Sequence, residues 1–107
     1  MAREITHPAI EHVALTTVMA ALSDPVRLSI VRLAASEHGL PCRAFEQQIP
    51  KSTLSHHWRV LREAGLIRQE GQGTSRMNFL RRAEFDGRFP GLLDAVLAAD
   101  AGTRSPA

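Results

Sequence analysis

Cysteine is nearly absent from this chain. Its 107 residues include one, Cys42, which excludes an internal disulfide framework and a four-thiolate zinc site within one copy. A reducing compartment fits that usage. Long apolar runs are missing too. The best stretch, Val13 to Leu22, holds two threonines and falls short of the roughly 20 residues needed to span a bilayer. The opening, Met1 to Pro8, lacks the basic-then-apolar order of a secretory signal. No Gly-rich phosphate loop follows a strand, and no paired carboxylates stand out for acid–base work. There is no internal repeat and no dividing linker. A soluble, cytoplasmic, non-enzymatic chain is expected, forming a single domain over residues 1–107 with no cofactor and no membrane contact.

What is present is an uneven charge. The net charge is only +2. Residues 51–82, however, carry Lys51, Arg59, Arg62, Arg68, Arg76, Arg81 and Arg82 against Glu63 and Glu70, while the flanking segments are slightly acidic. A basic block in a near-neutral chain is the footprint expected of a polyanion-binding surface, although a solvated charged face would look the same. Apolar residues make up 44%, so the chain is no disordered tail.

Ile10, Val13, Ala14, Val18, Ala21 and Leu22 recur at helical spacing and predict a first helix over 8–22. Asp24-Pro25 is a strong helix start, opening a second helix over 25–36 that ends at His38-Gly39. A short third helix is expected over 42–48, broken by Pro50. The fourth, over 51–64, puts Leu54, His57, Trp58 and Leu61 on one face and Ser52, Ser55, His56 and Arg59 on the other. Residues 66–81 read as two strands around Gly71-Gln72-Gly73-Thr74. Phe85, Phe89, Leu92, Leu93, Val96 and Leu97 form a last apolar stripe, with a helix over 90–99 and a loose tail beyond Gly102.

That order is a winged helix-turn-helix, mainly α with a small β-hairpin: five helices and a two-stranded wing, with the helix-turn-helix over 42–64. The major groove of DNA admits an α-helix whose outward side chains are short or donor-bearing. Lys51, Ser52, Thr53, Ser55 and His56 suit base or phosphate contact near the helix start, Arg59 a phosphate one turn on, and Arg76 the backbone or minor groove beside the wing. Double-stranded DNA is the expected partner.

The chain resembles the ArsR/SmtB-type winged-helix repressors. The resemblance rests on Ala21-Leu22-Ser23-Asp24-Pro25-Val26-Arg27-Leu28, on Ser52-Thr53-Leu54-Ser55-His56-His57, and on Arg62-Glu63-Ala64-Gly65-Leu66-Ile67. It covers about residues 10 to 98. It implies a homodimer joined by the first and last helices, here through Ile10, Val13, Phe89, Leu92, Leu93 and Val96, and a repressor seated on an inverted-repeat operator. It also implies base reading by Ser52, Thr53, Ser55 and His56, and a structural His57. Many members sense metals through a Cys-x-Cys pair, but here Cys42 is followed by Ala44 two residues on. Others use the last helix, which here offers only Asp94 and Asp100. No metal is expected at either place.

Rival readings attach to single residues. Cys42, beside Arg43, is a candidate redox-sensing thiol as well as a small packed residue. Trp58 is expected in the core, and Arg27 is expected to pair with Asp24, with a phosphate contact as its alternative. His7, His12 and His38 fit no short metal motif. The last apolar stripe suits dimer packing, or else an unidentified small-molecule effector. A winged-helix protein-interaction module is the alternative to DNA binding, and a metal or small-molecule carrier a more distant one.

Overall fold

Asp24 sets the start of the helical layer. Its carboxylate accepts from the backbone amides of Val26 (2.9 Å) and Arg27 (3.0 Å), with Pro25 in the first turn where no amide hydrogen is needed. The computed structural model describes residues 5–72 and 75–104. Among them, α1 is Leu15–Leu22, α2 Pro25–Ser36, β1 Leu40–Pro41, α3 Lys51–Glu63, β2 Ile67–Gln72, β3 Ser75–Leu80, α4 Arg82–Arg88 and α5 Leu92–Arg104. The molecule is mainly helical, with five α-helices and a small antiparallel sheet among these residues. Val18, Ile30, Val31, Leu54, Leu61, Leu66, Ile67, Phe85 and Leu93 make one core cluster that draws on helices and sheet alike.

The second and fourth expected helices form over the expected spans; the first does not. A 3-10 turn at Ile10–His12 and extended backbone at Val13 and Ala14 precede α1. Val13 turns its side chain into the core, 4% exposed. Its carbonyl accepts from the Arg88 guanidinium at 3.0 Å, a tertiary bond that replaces the helical one. The third expected helix is also absent as such. Leu40–Pro41 pairs with β3, Leu40 opposite Asn78 and Pro41 opposite Met77. Cys42–Phe45 is then a single 3-10 turn. Between two prolines the segment is too short to outrun the cost of helix nucleation.

The wing therefore has three strands in the order β1-β3-β2, not two. Its tip, Gly73-Thr74, lies outside the described residues, as do Met1–Glu4 and Ser105–Ala107. Downstream, α4 was not foreseen. Gly91 at φ +78° separates it from α5, so Pro90 lies in the joint and not in the last helix. α5 runs past Gly102, held by Asp100, which accepts from Arg32 and Arg104 at 2.9 Å each.

Gly65 ends α3 at φ +74°, and a Cβ there would sit 2.9 Å from Ile10 Cδ1 and 3.1 Å from Val13 Cγ2. Gly65→Ala should lower unfolding free energy by about 1–2 kcal/mol from left-handed strain alone, and by more once the overlap is included. Urea denaturation reads it, and an unchanged midpoint would show that the joint relaxes freely.

Candidate nucleic-acid interface

α3 is two-faced. Leu54, His57, Trp58 and Leu61 are buried, and Lys51, Ser52, Thr53, Ser55, His56 and Arg59 are all exposed. Burial fixes the helix and leaves the hydroxyl- and imidazole-bearing side to solvent. Trp58 is anchored further, its indole N–H donating to the Cys42 carbonyl at 3.2 Å. Pro50 precedes the helix and supplies no side-chain cap to the first-turn amides, which have no partner inside the helix.

The basic block divides on folding. Arg62 donates to Gln69 Oε1. Arg68 pairs with Glu70 at 2.7 Å and lies over the Phe79 ring. Arg81 is buried, with Glu84 at 2.7 Å and the Pro8 carbonyl at 3.0 Å. Arg82 is held by Asp86 and Asp94. Lys51, Arg59 and Arg76 are the exposed cations of the block that make no ion pair among the described residues. Lys51 and Arg76 line one small cleft of about 90 Å³ with Cys42, Ser55, Trp58 and Arg62. Wing and helix start thus share one surface.

Under that surface lies a polar joint that sequence pattern did not reveal. Asn78 of β3 is fully buried and donates to the Leu40 carbonyl (3.1 Å) and to Cys42 Sγ (3.2 Å). Gln69 of β2, also buried, donates to the same sulfur at 3.6 Å. Its backbone amide donates to His7 Nε2 at 3.0 Å. Burial, then the positive charges of Arg81, Arg62 and Arg68, hold the His7 pKa below its ordinary value, which keeps the ring an acceptor. Cys42 is half-buried among amide donors.

His57 is buried as expected, but its partner was not foreseen. Arg27 does not pair its guanidinium with Asp24. Instead Nη1 donates to His57 Nδ1 at 3.1 Å, Nε to the Ala21 carbonyl at 2.7 Å, and Nη2 to the Ala20 carbonyl at 3.3 Å. Asp24 is occupied by backbone amides, which leaves Arg27 to reach across to α1 and α3.

The residues expected at a dimer contact fall into two groups. Val13 and Leu93 lie in this chain's own core, while Ile10, Phe89, Leu92 and Val96 are half-buried. Leu15 and Met19 of α1, not singled out from sequence, are the large apolar side chains left outside among the described residues, each 51% exposed. Asp94 and Asp100 are each held by arginine, and the described residues contain no group of three His, Cys, Asp or Glu able to hold a metal. No helix among them is long and apolar enough to cross a membrane.

Comparison with known proteins follows the same lines. A family model described as a helix-turn-helix domain matches residues 22–70. The chain is 35% identical over 82 residues to an uncharacterized HTH-type transcriptional regulator, YceK, of Bacillus subtilis, covering 74% of this chain and 82% of the relative. It is 32% identical over 59 residues to another such regulator of Methanocaldococcus jannaschii, covering 53% and 66%. Among solved structures, an ArsR-like transcriptional regulator from Rhodococcus sp. RHA1 superposes with TM-score 0.60 at 22% identity, covering 84% of each chain. A transcriptional regulator homologue from Pyrococcus horikoshii OT3 gives TM-score 0.61 at 18% identity, covering 86% of this chain and 97% of the other. At those identities the structural likeness is one of fold.

The polar joint makes its own prediction. Gln69→Leu removes the acceptor of a part-buried arginine whose Nε already lacks a partner. It should cost about 1–3 kcal/mol in chemical denaturation and speed amide exchange across β2 and β3. A neutral result would mean that water replaces the lost bond.

Proposed function

The chain belongs to the winged helix-turn-helix family of transcriptional regulators, and we propose that it is a homodimeric repressor that lays α3 in the major groove of an inverted-repeat operator. One observation carries the reading. The hydroxyl and imidazole groups of Ser52, Thr53, Ser55 and His56 face solvent on a helix whose other side is locked into the core, with Arg59 one turn on and Arg76 beside them on the wing. Short donors near a helix start are what base edges require, and Lys51, Arg59 and Arg76 are placed for phosphates.

Dimerisation is supported by the apolar side of α1. Two large side chains, Leu15 and Met19, half exposed on an eight-residue helix, are better covered by a second copy than by water. A two-fold partner would set two α3 helices roughly 34–36 Å apart, one turn of DNA. The family's familiar metal positions are read as unused, since Asp94 and Asp100 already serve arginines. A thiol-responsive variant of the reading is favoured by one fact: Cys42 lines the same cleft as Lys51, Ser55 and Arg76, so an adduct on it would meet an approaching phosphate.

Selection of bound duplexes from a random pool should return an inverted repeat. On it, Ser55→Ala or His56→Ala should weaken binding by ~1–3 kcal/mol and relax base preference, and Arg76→Ala should weaken all sequences and lower the salt slope by about 1. Binding that is indifferent to salt points instead to a protein-interaction module. Sedimentation at micromolar concentration should give twice the chain mass for the wild type and shift toward one chain in Met19→Asp; a wild-type monomer removes the dimer.

A further inference from the structure

We propose that the Arg27–His57 contact is a proton-sensitive latch that positions α3 for DNA, engaged when His57 is neutral and released when it takes up a proton. The inference rests on the DNA-binding reading above and adds a control to it.

The geometry is specific. Arg27 carries its charge at any accessible pH and has only donors to offer. Its Nη1 lies 3.1 Å from His57 Nδ1, so that nitrogen must be the acceptor and the ring proton sits on Nε2. The other two guanidinium bonds go to the Ala20 and Ala21 carbonyls. One side chain thereby ties the C-terminal end of α1, the start of α2 and the middle of α3. Protonating Nδ1 removes the acceptor and sets donor against donor, and positive against positive, at a residue 7% exposed.

The surroundings fix the sign. Burial acts first against the charged imidazole, and Arg27 and His56 add to it; Asp24, at the α2 cap, opposes them, and the net effect is a pKa below the ordinary histidine value. α1 contributes backbone carbonyls and no titratable side chain. A histidine held neutral in the fold contributes stability that is present above about pH 6.5, its unfolded value, and lost as pH falls through the lowered folded value. His56, next along the chain, faces solvent on the DNA side.

The chain has one tryptophan, Trp58, seated beside His57 on the buried face, so its emission reports the seat of α3 without DNA. From pH 8 to 5.5 at fixed ionic strength, wild-type emission should change and α3 amide exchange should quicken. His57→Gln, which keeps an acceptor that cannot be charged, should show neither. Arg27→Gln, which removes the opposing charge, should show a smaller response and serves if His57→Gln does not fold. With a labelled random-sequence duplex, wild-type affinity should fall about tenfold relative to His57→Gln over that range, within the usual span of a coupling between two sites. Equal pH responses in wild type and both variants overturn the latch. No duplex binding by any of them at pH 8 overturns the DNA-binding reading instead, while the emission still decides whether the latch exists.

Discussion

The seat of α3 is the constraint on which this domain is organised. A helix that reads DNA must be rigidly held by one side and offer only the other. Four buried residues hold it, and they are not equivalent. Leu54 and Leu61 bring apolar area into the common cluster. Trp58 and His57 bring area with a polar handle, one donating to the Cys42 carbonyl and one accepting from Arg27. Apolar contacts alone permit sliding and rotation. Directional bonds to two different elements, the 3-10 turn on one side and α2 on the other, fix the rotation of α3 about its axis. That rotation decides whether Ser55 and His56 face outward.

The wing depends on the same joint. β1 has only two residues, too few to stand as a strand by pattern or propensity. Its place is secured by Asn78, whose side chain donates to the Leu40 carbonyl from full burial. Gln69 and Arg62 then carry the connection from sheet to α3. Burying such groups is costly unless they are paired, and two of the three open valences among the described residues, Arg62 Nε and Asn78 Oδ1, lie in this joint. A polar joint of this sort trades some stability for a single geometry between wing and helix.

Legibility from sequence follows the range of the interactions. The Asp24-Pro25 start of α2 and the two faces of α3 are local facts, set by a cap and by 3.6-residue spacing, and they read directly. The break at Val13, the strand at Leu40 and the separation of α4 from α5 are set at a distance. Arg88 takes the Val13 carbonyl from 75 residues away, and Asn78 takes that of Leu40 from 38 away. No window of residues carries those signals. Arg27 shows the same limit in one side chain: at i, i+3 from Asp24 the local spacing pointed to that partner, yet the backbone amides had already filled that carboxylate.

Charge shows why composition overstated the breadth of the free basic surface. Seven cations against two glutamates between residues 51 and 82 suggested a broad positive stripe. Folding sends Arg62 to a glutamine and Arg68, Arg81 and Arg82 to carboxylates. Three of those carboxylates, Glu84, Asp86 and Asp94, lie outside the block, where a count over the window could not see them. What remains is narrower: one lysine at the start of α3, one arginine about two turns later and one arginine on β3. A diffuse stripe attracts any polyanion. Three separated cations around a row of hydroxyl donors attract a phosphate backbone in one orientation. A second copy would double that number while keeping the spacing fixed, so that non-specific attraction stays modest and register carries more of the discrimination.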